Sequence, residues 1–137
     1  MKTVMNKQVM NYQTDSFGIV HHARYLEMME EARWLYCYEN ELMDPYHERG
    51  IIHVIVNINI DYQNSARIGD ELDIQTELLR VTEKSVVFRQ AVYRKEKLLV
   101  QADLTNVYLN QSDHSTIKAA DMIDFWPELK MAIDKKC

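Results

Sequence analysis

An aspartate, a glycine and two histidines are concentrated in the segment Asp15–His22, which reads Asp-Ser-Phe-Gly-Ile-Val-His-His. The Asp15 carboxylate can attack an acyl carbonyl or activate a water molecule. A helix is predicted to begin near His22 and Ala23. The unpaired backbone N–H groups of a helix start suit the oxyanion that forms when a thioester carbonyl is attacked. Gly18 permits a tight turn, so the segment combines features of a site that attacks a carbonyl, but an Asp before a helix is more often a cap or turn residue than a catalytic one.

The same segment lacks the patterns of other catalytic sites. His21 and His22 are adjacent, so at most one of them faces a site, and they lack the i, i+4 spacing of metal ligands on a helix. No metal is therefore predicted. Ser16 has no Gly-x-Ser-x-Gly context, which disfavours a serine hydrolase. Gly18 belongs to no phosphate-binding loop and no dinucleotide fingerprint.

Composition indicates one globular domain over residues 1–137, with 47% hydrophobic and 27% charged residues. The net charge of −5 comes without any concentrated run of Lys and Arg, which argues against nucleic-acid binding. The N-terminus lacks the apolar core of a signal peptide, and no apolar run approaches the ~20 residues of a membrane helix. Of the two cysteines, Cys37 lies in an apolar stretch and Cys137 is the last residue. We therefore expect a reducing, cytoplasmic location.

Hydrophobic periodicity predicts one strand, one long helix, and then four strands joined by short connections. The predicted elements are a strand over 7–13, a helix over 23–42, strands over 52–62, 71–81, 86–95 and 98–110, and a C-terminal helical region interrupted by Pro127. The segment 44–50 is expected to be a loop, because Pro45 cannot continue the helix. Short connections imply antiparallel neighbours. The predicted fold is α+β, with about five antiparallel strands curled around one long central helix.

The strand over 52–62 has the clearest alternation in the chain. Its even-numbered residues, from Ile52 to Tyr62, are apolar and are predicted to share one face. The odd-numbered residues, beginning with His53 and Ile55, are predicted to form a mixed face. The edges and the outer face of such a sheet are natural places for self-association, so we expect a homo-oligomer.

Two motifs resemble those of a known enzyme family. The first is Thr14-Asp15-x-x-Gly18-Ile19-Val20-His21-His22-Ala23-x-Tyr25-Leu26, continuing to Glu30-Glu31-Ala32-Arg33. It resembles the signature of the 4-hydroxybenzoyl-CoA thioesterase-like (YbgC-like) acyl-CoA thioesterases, which have the hotdog fold. The second, Asp61-Tyr62-x-x-x-Ala66-x-x-Gly69-Asp70-x-Leu72, is a supporting pattern that other hotdog proteins share. The resemblance runs from about Val9 to Leu109.

The resemblance implies hydrolysis of an acyl-CoA, with an acyl-carrier protein as a possible alternative carrier, and no cofactor. Asp15 matches the catalytic carboxylate, acting as nucleophile or general base, and His22 matches an accessory histidine. The backbone amides of His22 and Ala23 would polarise the thioester carbonyl. The implied pocket residues are Tyr12, Phe17, Gly18, Val20 and Tyr25. The family places its active site between two subunits, so a homodimer that assembles into a homotetramer is expected.

Some family features have no clear counterpart. Asn11 stands where relatives often have a tyrosine, with Tyr12 one position later. The candidates for binding the CoA phosphates are basic residues, namely Arg67, Arg89, Arg94 and Lys84. Apolar candidates for the acyl pocket are Phe17, Met28, Met29 and Val54, which favour aliphatic or aromatic acyl groups over charged ones. Two alternatives stay open: a non-catalytic module that binds acyl-CoA or acyl-carrier protein, and a dehydratase of hydroxyacyl thioesters, whose motif is not found.

Overall fold

The computed structural model describes residues 2–135, which form one curled antiparallel sheet around a central helix. The strands are β1 (Lys2–Gln8), β2 (Ile51–Tyr62), β3 (Glu71–Val81), β4 (Ser85–Arg94), β5 (Lys97–Asn110) and β6 (Thr116–Ile117). The helices are α1 (His22–Glu39), α2 (Met43–Arg49) and α3 (Pro127–Asp134), with 3-10 turns at Asn11–Gln13 and Ala119–Met122. The strand order is β1-β3-β4-β5-β2, and β6 pairs with β5. No helix within residues 2–135 has the length and apolar character needed to cross a membrane.

The first strand was predicted over 7–13, but it lies at Lys2–Gln8, so most of that prediction was wrong. All seven residues of β1 pair with β3, from Lys2 opposite Glu77 to Gln8 opposite Glu71. The following segment forms a 3-10 turn instead, because the Gln13 side chain accepts a hydrogen bond from the Met10 N–H at 2.8 Å. Such local side-chain contacts compete with strand pairing and leave little trace in the hydrophobic pattern.

The segment predicted as a loop after α1 is a short helix, α2, so that prediction was also wrong. Pro45 lies in the first turn of α2. Backbone N–H groups in a first turn have no intrahelical acceptor, so the N–H that proline lacks costs the helix no hydrogen bond. The buried Tyr46 anchors the helix, and Gly50 ends it with a φ of 64°. Pro127, predicted as an interruption, is instead the first residue of α3. In both places proline marks a helix start.

The two faces of β2 differ from the predicted alternation because of a β-bulge between Ile55 and Asn57. Before the bulge, Ile55 pairs with the buried Asn106; after it, Ile58 pairs with the buried Leu104. Directly paired residues point to the same face of a sheet. The side chains that face α1 are therefore those of residues 53 and 55 before the bulge and of residues 58, 60 and 62 after it. His53 was predicted to lie on the face opposite Tyr62, and it lies on the same one.

The C-terminal segment closes the end of the half-barrel beside the last turns of α1. Trp126 is fully buried, and its indole N–H donates to the Tyr36 hydroxyl at 3.2 Å. Its ring stacks on Phe88 at a centroid distance of 6.2 Å and meets Tyr108 edge-on at 5.9 Å. This cluster packs the C-terminal half of α1 against the sheet.

Candidate active site

The segment between β1 and α1 is a tight hairpin. The Asp15 N–H donates to the Ile19 carbonyl at 2.9 Å, and the Gly18 N–H donates to the Asp15 carbonyl at 3.0 Å. Thr14 and Val20 pair as an antiparallel bridge at its base. Gly18 has a φ of 78°, in the left-handed region that favours glycine. The hairpin places Asp15 at the first position of its turn.

The Asp15 carboxylate is held by its own loop. Its Oδ1 accepts a hydrogen bond from the Phe17 N–H at 2.8 Å. Its other oxygen, Oδ2, has no hydrogen-bond partner within the described residues. The side chain is half-buried. One oxygen is thus oriented by the backbone, and the other is available to a substrate or a water molecule.

The hairpin is anchored to the loop that follows β2. The Val20 N–H donates to the Ala66 carbonyl at 2.9 Å, and Ile19 forms a bridge with Arg67. The Ala66 N–H in turn donates to the Tyr25 hydroxyl at 3.1 Å. Val20 and Tyr25 are both buried, and burial raises the pKa of the Tyr25 phenol. Val20 and Tyr25, both predicted as pocket residues, therefore anchor the hairpin to the loop at Ala66.

His21 caps the helix that carries the predicted oxyanion donors. Its backbone N–H donates to the Gln13 carbonyl at 3.0 Å, and its Nδ1 accepts from the Ala23 N–H at 3.2 Å. An imidazole that accepts at Nδ1 carries its proton at Nε2. The Ala23 N–H, one of the two predicted donors, is therefore engaged by the cap. The His22 N–H has no hydrogen-bond partner in the part of the chain that the structure describes.

His22 is exposed at the first position of α1, beside the end of β2. Its carbonyl accepts a hydrogen bond from the Tyr62 hydroxyl at 3.1 Å. The Tyr62 ring meets the His22 ring edge-on at 6.3 Å and lies 5.9 Å from the Tyr25 ring. Sequence reasoning placed Tyr62 in a supporting motif and missed its place beside His22. The Asp61-Tyr62 pair of that motif was the available signal.

The other predicted pocket residues form the outer surface of the hairpin. Phe17 is 85% exposed and Tyr12 is 70% exposed. Gly18 is also exposed, and a Cβ placed on it would contact nothing within 4 Å. In the single chain the side chains of Phe17 and Tyr12 are therefore open to solvent, and neither forms the wall of an enclosed pocket.

A concave site lies farther along α1, away from the hairpin. A cavity of about 560 Å³ opens between α1, α2 and the start of β2. Its lining residues are Glu30, Arg33, Trp34, Met43, Tyr46, His47, Ile51, Ile52, His53, Val54, Ile55 and Gln111. Because α1 begins beside Tyr62 and Trp34 packs on His53 at 5.0 Å, helix and strand run in opposite directions. At 1.5 Å per residue, Arg33 lies about 15 Å along α1 from Ala23.

This cavity differs in character from the predicted acyl pocket. Of the four predicted apolar lining residues, Val54 lines it, while Met28 and Met29 are core residues and Phe17 lies in the hairpin. Most of the cavity surface is apolar, and charged and polar side chains line it as well. Arg33 Nη1 donates to Oε1 of the buried Gln90 at 2.9 Å. Burial lowers the pKa of the Arg33 guanidinium, and burial together with the charge of Arg33 lowers the pKa of His53.

Three of the four basic residues considered for phosphate binding are engaged or distant. Arg89 makes two hydrogen bonds to Asp103, at 2.8 and 3.1 Å. Arg94 donates to Asp70 at 2.9 Å and to the Ser65 carbonyl at 3.2 Å. Lys84 lies in the turn between β3 and β4. Arg67 is exposed, neighbours the hairpin through Ile19, and forms no ion pair within residues 2–135.

Titratable residues do not converge into a metal site. No group of three or more His, Cys, Asp or Glu residues within 2–135 is arranged to hold a metal ion.

Comparison with known proteins identifies the family. The profile of the thioesterase superfamily matches residues 17–101. The long-chain acyl-CoA thioesterase FadM of Escherichia coli is 34% identical over 96 residues, which span 70% of this chain and 73% of that protein. The acyl-CoA thioesterase YbgC of Helicobacter pylori is 35% identical over 80 residues, and this alignment spans 58% of this chain and 59% of YbgC.

Solved structures agree with these matches. The probable thioesterase YbaW from Escherichia coli superposes with a TM-score of 0.82 and 27% identity, covering 94% of this chain and 97% of YbaW. An Asp-to-Asn variant of 4-hydroxybenzoyl-CoA thioesterase, complexed with 4-hydroxybenzoyl-CoA, also gives a TM-score of 0.82, at 25% identity over 91% of this chain and 98% of that one. Because the profile covers more than half of the chain and the fold superposes over nearly all of it, the chain belongs to the thioesterase superfamily and has the hotdog fold predicted from its motifs.

Proposed function

We propose that this chain hydrolyses acyl-CoA thioesters to a free acid and CoA, with Asp15 as the reacting carboxylate. Thioester hydrolysis follows from the family, and the acyl-CoA substrate follows from the names of the relatives. The observation that carries the assignment of the site is the Asp15 carboxylate, which has one oxygen fixed by the Phe17 N–H and one free. Asp15 precedes the start of α1, and the first N–H groups of that helix suit an oxyanion.

The reaction consumes one water and releases the CoA thiol. Asp15 Oδ2 either attacks the thioester carbonyl to form an acyl-aspartyl anhydride, which water then cleaves, or removes a proton from the attacking water. In both routes the C–S bond breaks and the thiolate takes up a proton. The His22 N–H is the first donor available to the oxyanion. The Ala23 N–H becomes a second donor when the carbonyl oxygen displaces the Nδ1 of His21.

The proposed assembly is a dimer formed through β2. This strand is an edge of the sheet, twelve residues long, and it exposes Val54, Val56 and Ile58. An open apolar edge of this length favours pairing with another strand. Antiparallel pairing of two copies about a two-fold axis would bring the Tyr62 end of one β2 beside the His53 end of the other. The hairpin of one copy would then face the cavity of the second.

This arrangement supplies the surface that the hairpin lacks in a single chain. The reacting carboxylate would come from one copy and the acyl-binding cavity from the other. Arg67, beside the hairpin and without an ion pair in the described chain, is the best-placed cation for the phosphates of CoA or of a carrier protein. Two dimers joined through the outer faces of their sheets would give the predicted tetramer. A cytoplasmic location stays a prediction from the sequence.

The decisive experiment measures thiol release from acyl-CoAs of several chain lengths. Asp15→Asn keeps the size of the side chain and its contact with Phe17 but removes the nucleophile or base. We expect kcat to fall at least 100-fold. Asp121→Asn, at an exposed aspartate in the 3-10 turn before α3, is the matched control and should retain full activity. Full turnover by Asp15→Asn would overturn the assignment. Saturable acyl-CoA binding without any turnover in the unsubstituted protein would indicate the binding module instead.

A further inference from the structure

We propose that Arg33 makes this enzyme selective for acyl groups whose far end carries a carboxylate, such as the mono-CoA thioesters of dicarboxylic acids. The inference rests on the proposed acyl-CoA hydrolysis and concerns the cavity between α1, α2 and β2. It departs from the sequence-based expectation of an uncharged acyl group. Three features support it: the way Gln90 fixes the Arg33 guanidinium, the lack of a direct ion pair to Arg33 within residues 2–135, and neutral donors on the same face of the sheet.

The Arg33 guanidinium is positioned by a buried amide. Gln90 is fully buried, and its Nε2 donates to the Met29 carbonyl at 2.8 Å and to the Thr76 hydroxyl at 2.9 Å. With both of its N–H groups used, Gln90 can present only its carbonyl oxygen to Arg33, which donates to it at 2.9 Å. A guanidinium held in this way is preorganised for planar, bidentate recognition of a carboxylate.

Within residues 2–135 the charge of Arg33 is compensated only through space, by the exposed Glu30, and not by a direct ion pair. The one hydrogen bond of the guanidinium in the described chain goes to the neutral Gln90. Its pKa is lowered, chiefly because burial removes water from the charge. A partly buried charge without a counter-ion in direct contact is unfavourable, and an anionic ligand offsets that penalty. Glu30 also lines the cavity, but it is exposed, so water screens its repulsion of such a ligand.

Neutral donors lie on the same face of the sheet. His53 lines the cavity because the β2 bulge turns it toward α1. Its pKa is lowered by burial and by Arg33, so at neutral pH the ring is uncharged and offers one N–H. Asn106 is 2% exposed and pairs directly with Ile55, a cavity residue. Its side-chain N–H₂ has no acceptor within the described chain, which is unusual for a buried donor.

The remaining walls suit a methylene chain. Trp34, Met43 and Ile55 contribute apolar surface, and the volume of about 560 Å³ is that of a small-molecule site. A linear acyl group can therefore lie along these walls and end at Arg33. In the proposed dimer the thioester would reach the Asp15 hairpin of the second copy.

The test compares pairs of thioesters of equal length that differ only at the far end: hexanoyl-CoA with adipoyl-CoA, and decanoyl-CoA with sebacoyl-CoA. We expect kcat/KM to favour the carboxylated member at least tenfold for one of the pairs. Arg33→Met should remove that preference, lowering kcat/KM for the carboxylated substrate about 10- to 100-fold. The same substitution should lower kcat/KM for the acyl group without a terminal carboxylate by a smaller factor than for the carboxylated one. Arg33→Lys should retain part of the preference, and Arg80→Met, at an exposed arginine of β3, should retain all of it.

Two measurements separate failure of this inference from failure of the proposed function. Thermal unfolding of Arg33→Met establishes that the variant is folded. Calorimetric titration of Asp15→Asn with adipoyl-CoA and hexanoyl-CoA measures selectivity in binding without turnover. Equal kcat/KM and equal Kd within each pair would overturn the role of Arg33 while leaving thioester hydrolysis intact. A preference that survives in Arg33→Met, or faster hydrolysis of 6-hydroxyhexanoyl-CoA than of adipoyl-CoA, would overturn it as well.

Discussion

The backbone N–H of Phe17 donates to Oδ1 of Asp15 at 2.8 Å, although the side chain of Phe17 is 85% exposed. Phe17 therefore contributes its amide to the site and leaves its ring on the surface. The geometry of this contact is set by the turn, since Gly18 closes it with a φ of 78°. The orientation of the Asp15 carboxylate, the proposed reacting group, thus depends on a turn that Gly18 closes.

Gly18→Ala should therefore reduce both stability and activity. An alanine in the left-handed region costs about 1 kcal/mol of unfolding free energy, and the added Cβ meets no neighbour that could add to this. Because the strain can also shift the Phe17 amide, kcat should fall while KM stays similar. Denaturant unfolding and steady-state kinetics measure the two effects. Gly18→Asn is the control, since asparagine tolerates this conformation better and should lose less. If Gly18→Ala equalled the wild type in unfolding free energy and in kcat, the turn would not require the left-handed conformation.

The sequence predicted the parts of the fold that depend on regular periodicity. The helix at α1 and the strands β2 to β5 were predicted close to their bounds, because each has a long run of one period. A tight turn at Gly18 was also predicted, while the assignment of a catalytic site to the segment Asp15–His22 stays a prediction. The supports of that turn were harder to foresee, because Tyr25 reaches Ala66 over 41 positions in the chain.

The cavity could not be predicted, because it arises from irregular features. The bulge in β2 turns His53 inward, and its position is set by pairing with β5, some 50 residues later. The short helix α2, which forms another wall, is stabilised by packing of Tyr46 against Tyr108 and Phe125 rather than by its own propensity. Neither the pairing of β2 with β5 nor the packing of Tyr46 can be inferred from the hydrophobic pattern of a single sequence.

Stability should fall in acid through Asp70, which secures the loop beneath the hairpin. Its Oδ2 accepts from the Arg67 N–H and from the Arg94 guanidinium, both at 2.9 Å. These contacts lower the pKa of Asp70, the backbone hydrogen bond of Arg67 being the largest cause. A lowered folded-state pKa contributes stability that is present above the unfolded value of about 3.9 and is lost as the pH falls through the folded value.

Asp70→Asn should remove this pH-dependent contribution. Because the ion pair is partly solvated, the variant should be less stable than wild type by about 1 kcal/mol at pH 7. The difference should shrink as the pH falls below about 4 and vanish once Asp70 is protonated in both states. Urea unfolding across this range measures it. A difference that stays constant down to pH 2 would show that the charge of Asp70 does not contribute.

A charge introduced on the β2 edge should both dissociate the proposed dimer and abolish its activity. Val56 lies at the bulge, is 58% exposed, and stands on the strand that would pair with its copy. In Val56→Lys two lysines would meet near the two-fold axis, so we expect monomers at micromolar concentration. Activity should fall in parallel, because the Asp15 hairpin would lose the cavity of the second copy. Light scattering distinguishes the 16.3 kDa chain from assemblies of two or four times that mass. Met131→Lys changes a similarly exposed residue of α3 and should leave assembly and activity unaltered. A fully active monomer would exclude the shared site.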